Sequence, residues 1–142
     1  MKRFRFTLLL SSFALSTLAS SNSIAHELTL TIDKIKNTKG VMMIALHNSE
    51  AGYATNKATF SSQKLAVTGE TMTVNFGDVP AGNYAIKLFQ DENENGALDT
   101  NLLGIPSEGY GFSNNGGAMG QPDFKDATFS VADKTLITIH LR

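Results

Sequence analysis

Apolar residues recur at every second position in one short segment after another, and no window sustains the 3.6-residue period of a helix face. Leu28, Leu30 and Ile32 alternate with Thr29, Thr31 and Asp33. After the turn chemistry of Asn37-Thr38-Lys39-Gly40, Met42, Ile44 and Leu46 repeat the pattern through Asn48. A looser polar stretch covers Ser49 to Thr59, and Leu65 with Val67 marks a third strand. Met72, Val74 and Phe76 make a fourth, and Tyr84, Ile86 and Leu88 a fifth, across the turns at 68–70 and 77–83. Thr128 to Val131 and Leu136 to Leu141 predict a last hairpin across Ala132-Asp133-Lys134. Successive strand side chains point to opposite faces, so this alternation predicts half-buried strands. The expected fold is all-β: a single antiparallel β-sandwich of immunoglobulin or prealbumin type, with about seven strands and no long helix.

The first 25 residues stand apart from this pattern. Lys2, Arg3 and Arg5 precede a mostly apolar run from Thr7 to Ala19, and Ser23-Ile24-Ala25 is a small-x-small site. That is the layout of a signal peptide cleaved before His26. The apolar run falls short of the roughly 20 residues a membrane-spanning helix needs. Export to the periplasm or the medium is therefore expected, with residues 26–142 as one domain and no transmembrane segment in it. Losing Lys2, Arg3 and Arg5 takes the formal net charge from −1 to −4. An acidic domain without a basic cluster is a poor candidate for nucleic acid. The chain has no cysteine, so no disulfide can staple it.

Residues 91–126 break the alternation for 36 positions, longer than a passive connection usually runs. The stretch holds seven acidic residues against Lys125 alone, a net −6 that leaves +2 on the rest of the exported chain. It opens with Asp91-Glu92-Asn93-Glu94-Asn95-Gly96-Ala97-Leu98-Asp99. That D-x-N-x-N-G-x-x-D spacing places oxygens to converge on a calcium ion, from Asp91, Asn93, Asn95, the Ala97 carbonyl and Asp99, with Gly96 at the sharp turn. Leu102 stands where an EF-hand loop has its bidentate glutamate, so Glu108, Asp123 or Asp126 would have to close the shell. Asn, Asp and Gly are equally the residues of a solvated Asx-turn.

Gly77-Asp78-Val79-Pro80-Ala81-Gly82-Asn83-Tyr84, the 91–99 run and Leu103-Gly104-Ile105-Pro106-Ser107-Glu108-Gly109-Tyr110-Gly111-Phe112-Ser113-Asn114-Asn115 occur in this order. Together they resemble a family of small exported bacterial proteins known only as a conserved domain of unknown function. The resemblance runs from about Leu28 to Leu141; it implies one β-sandwich domain and no established activity. The P-x-G-x-Y turn is also similar to those of transthyretin-like and collagen-adhesin B-type modules. The conserved-domain family that the chain resembles tends to have an aromatic residue where this chain has His47.

Gly109 to Gly117 mixes glycine, amide and aromatic groups, which suits either a recognition loop or a set of anchors packing on the sandwich. The leading expectation is a non-enzymatic module that binds a protein, peptide or glycan through 91–126, with calcium ordering the loop and Glu108, Tyr110, Phe112 and Asn114 offering contacts. No nucleophile–base motif is present, so no catalytic residue is assigned. Two alternatives remain: a carbohydrate hydrolase using Glu108 with Asp123 or Asp126, and copper handling. If the first two strands pair about Thr38, His26 at a processed N-terminus comes within reach of His47, a plausible copper pair.

Overall fold

The computed structural model describes residues 25–142, so the expected signal peptide lies outside the described residues apart from Ala25. Eight strands form two sheets that face each other without closing into a barrel. They are β1 (Ala25–Asp33), β2 (Val41–His47), β3 (Ser61–Ala66), β4 (Met72–Pro80), β5 (Gly82–Asp91), β6 (Tyr110–Phe112), β7 (Phe129–Val131) and β8 (Thr135–His140). Two short helices, α1 (Glu50–Thr55) and α2 (Phe124–Ala127), complete the elements the site uses. Neither is long and apolar enough to cross a membrane.

The smaller sheet runs β4-β1-β8, and the larger runs β3-β2-β5-β6 with β7 also paired to β5. Alternation fills the space between them. Leu28, Leu30 and Ile32 of β1 meet Met42, Ile44 and Leu46 of β2, Ile86 and Leu88 of β5, and Val74, Val79 and Ile139, all in one buried cluster. Burying a side chain of this size contributes about 1.5–3 kcal/mol, so this cluster carries the stability that disulfides would otherwise supply.

Two expected pairings are corrected. β1 and β2 do not form a hairpin: β1 pairs with β4 and β8, while β2 pairs with β3 and β5. Residues 34–40 instead cross from one sheet to the other, and Gly40 passes so close to Asp91 that a Cβ there would lie 2.0 Å from its carbonyl oxygen. Likewise β7 and β8 part company, β7 onto β5 and β8 alongside β1 in parallel. The polar 49–59 stretch contains α1, whose first turn is capped by the Ser49 hydroxyl accepting from Gly52 N at 3.2 Å.

Candidate functional site

The 91–126 segment is ordered by its own polar side chains. Asp91, fully buried at the end of β5, accepts from Asn95 N at 3.0 Å and Gly96 N at 2.8 Å. Glu108, 8 % exposed, accepts from Glu92 N and Asp99 N, both at 2.9 Å, and so clamps the two ends of the 92–99 turn. Asn93 and Asn95 each close an Asx-turn, onto Asn95 N and Ala97 N, and their amide nitrogens donate to the Asp99 carboxylate. Of the five calcium positions expected from the sequence, Asp91, Asn93, Asn95 and Asp99 are thus joined by one hydrogen-bond network. Ala97 N belongs to it as a donor. Among the described residues no three His, Cys, Asp or Glu side chains form a group that could hold a metal ion. Leu102, at the twelfth position of the motif, lies exposed at the tip of the small turn closed by Thr100 and Pro106.

Ser113, Asn114 and Asn115 pin the far part of the segment to three different elements. The buried Ser113 hydroxyl accepts from Ile86 N at 2.9 Å and donates to Ala127 O. Asn114 donates to Asp126 O and Thr128 O, both at 2.9 Å. Asn115 accepts from His140 N and donates to Thr138 O on β8. Gly111 lies so close to β8 that a Cβ would meet Ile139 Cγ2 at 2.5 Å. Of the expected contact residues, the buried Glu108 and the exposed Asn114 hydrogen-bond to the protein's own backbone, whereas Tyr110 and Phe112 face a cavity.

That cavity is a groove of about 730 Å³ across the outer face of the larger sheet. The strand register explains its floor. Met43 of β2 pairs with Phe89 of β5, which pairs with Tyr110 of β6; one row along, Ala45 pairs with Lys87 and Lys87 with Phe112. Tyr110 and Phe112 contact edge to face, with centroids 6.0 Å apart. One wall is polar, with Asn56, Thr59, Ser62 and the exposed Lys64, which pairs with Met43; the other is Gly96, Leu98 and Gln121 from the 91–126 segment. The acidic loop thus supplies one wall of the groove.

At one end the groove stops. The next row of the sheet, His47 and Ala85, is fully buried beneath α1 and α2 by Tyr53 and Phe124. Tyr53 meets the His47 ring and the Phe124 ring edgewise, each at 5.6 Å between centroids. Neither His47 nitrogen nor the Tyr53 hydroxyl has a hydrogen-bond partner. Burial, with the nearby Lys87 charge, pulls the His47 pKa down to about 4, and burial pushes that of Tyr53 up to about 12. Both are neutral at pH 7.

The copper pair is not assembled by strand pairing. His26 sits opposite Val79 in the smaller sheet and accepts from Asp133 N at 2.9 Å, while His47 is buried against α1 on the larger sheet. Sequence reasoning also passed over Met43, Lys87 and Phe89. The signal was there: Tyr84 to Phe89 is apolar on both faces except at Lys87, which marks a strand covered on both sides with one charge beneath the cover.

A family model described as an uncharacterized protein conserved in bacteria (DUF2141) matches residues 30–138, and the chain belongs to that family. No curated protein and no solved structure matches it.

Proposed function

We propose that this member of the DUF2141 family is an exported, non-enzymatic module that holds a short peptide in the groove of its larger sheet. The carrying observation is the groove itself, about 730 Å³ with Met43, Phe89, Tyr110 and Phe112 on its floor. Its volume lies within the roughly 300–1,000 Å³ of ordinary ligand pockets, and an apolar floor with a few polar groups at the margin is their usual lining. Among protein, peptide and glycan ligands, a peptide suits both walls at once. Its amides match Asn56, Thr59 and Ser62, and its apolar side chains match Leu98 and the aromatic floor.

The 91–126 segment serves here as a preformed wall. A calcium ion on Asp91, Asn93, Asn95, the Ala97 carbonyl and Asp99 would stiffen a turn that hydrogen bonds already close. The non-enzymatic reading is supported by Glu108, whose two oxygens are occupied by backbone N–H groups and so are poorly placed to move protons. The test is an array of N-terminally fluorescein-labelled hexapeptides with apolar residues at alternate positions, each made with a free C-terminal carboxylate and as the amide. Residues 26–142 should bind a subset saturably by fluorescence anisotropy. Met43→Arg, which fills the floor, should abolish that binding at an unchanged melting temperature. Absence of saturable binding, or indifference to Met43→Arg, rejects the groove.

A further inference from the structure

We infer that Lys87 fixes the C-terminal carboxylate of the bound peptide, so the groove takes chain ends rather than internal segments. This rests on the groove being the binding site, and it specifies what the groove recognises. Lys87 is 9 % exposed, yet among the described residues no carboxylate lies within 4.0 Å of its ammonium. The ammonium has three donors. One goes to the Tyr53 carbonyl oxygen, one to Gln121 Oε1 at 3.1 Å, and the third has no partner among the described residues. It sits 4.6 Å from the Tyr53 ring centroid, a favourable but incomplete substitute for a counter-ion. A buried cation is costly unless it is paired, and an anion arriving along the groove would pair this one.

The surroundings favour a chain terminus. Beyond Lys87 the floor is blocked by His47 and Ala85 under Tyr53 and Phe124, so an extended chain lying over Met43 and Phe89 has to end at the lysine. Asp123 acts on the Tyr53 hydroxyl of the same cap but lies beyond 4.0 Å of the Lys87 ammonium, so the cation at that end is unpaired and attracts a carboxyl terminus rather than an amino terminus. Ala45, paired with Lys87 across the strands, leaves room for the terminal carboxylate.

The acid and amide members of the same array read this directly. Wild-type protein should bind the acids about ten- to a hundred-fold more tightly than the matching amides, the size expected of a charge-assisted hydrogen bond. Lys87→Met should erase that difference by weakening the acids alone. Because Lys87 also ties α1 to the sheet, Gln121→Glu provides a second route: an exposed carboxylate beside the ammonium should erase the same difference without touching the core. A purely structural lysine would lower the melting temperature and leave the acid-to-amide ratio intact. Equal affinity for acids and amides, with binding still lost in Met43→Arg, overturns this inference and leaves the groove standing. Binding of neither form overturns both. Sodium dodecanoate that binds where no peptide does overturns the peptide terminus as the ligand.

Discussion

His47 is buried with two unpartnered ring nitrogens, in a position where an apolar ring would lose nothing. A buried polar atom without a partner costs about 1–3 kcal/mol, and the edge-to-face contact with Tyr53 needs only a ring. His47→Phe is therefore expected to raise stability by about 1 kcal/mol, read from urea denaturation at pH 7. The same substitution has a pH signature. The folded ring stays neutral until about pH 4, whereas the unfolded ring protonates near its ordinary value of 6.5. Between those values the unfolded state binds more protons, so stability falls as pH drops from 6.5 to 4. The variant should lose that slope; a wild-type slope retained in His47→Phe assigns the acid sensitivity elsewhere.

At the scale of elements, alternation told which residues form strands and which of their faces meet the core, because burial on one face leaves a period-2 trace. Leu28, Leu30, Ile32, Met42, Ile44 and Leu46 are all buried as that trace requires. Partner choice leaves no such trace, which is why the β1–β2 and β7–β8 hairpins were expected and are not formed. The groove was equally hidden, since its floor joins residues 43, 89 and 110 through register alone. The 91–99 motif was legible as an ordered turn, and one question about it is chemical. Asp91→Asn keeps one carbonyl oxygen for the backbone amides but removes a charge a cation would use. With calcium as a ligand of about 10⁻⁴–10⁻³ M affinity, 10 mM calcium should raise the melting temperature of the wild-type protein and not that of Asp91→Asn. Identical curves for both proteins in calcium and in chelator leave Asp91 and Glu108 as hydrogen-bond braces alone.

The whole molecule is closed by a pairing that joins distant parts of the sequence: Leu28 stands beside Thr135 and Ile32 beside Ile139 in the parallel β1–β8 ladder. This matters because β8 does three separate jobs. It inserts Ile139, followed by Leu141, into the core, and it covers one edge of β1. Its end also holds the 91–126 segment, through the Asn115 bonds to Thr138 and His140 and the paired backbone of Tyr110 and Arg142. Two buried aliphatic side chains are together worth about 3–6 kcal/mol, comparable with the roughly 5–15 kcal/mol by which whole domains are stable. The unpaired edge and the loosened loop add to that loss, and no disulfide offsets it. A chain ending at Asp133 should therefore show no cooperative thermal transition by circular dichroism, although it keeps every residue of the groove. A sharp melt in that truncated chain would mean that the larger sheet, with its helices and acidic wall, folds without β8. The groove could then be studied apart from the smaller sheet. Loss of the transition instead makes the wall of the groove dependent on a strand of the opposite sheet, through Asn115, Tyr110 and the glycine contact at Gly111.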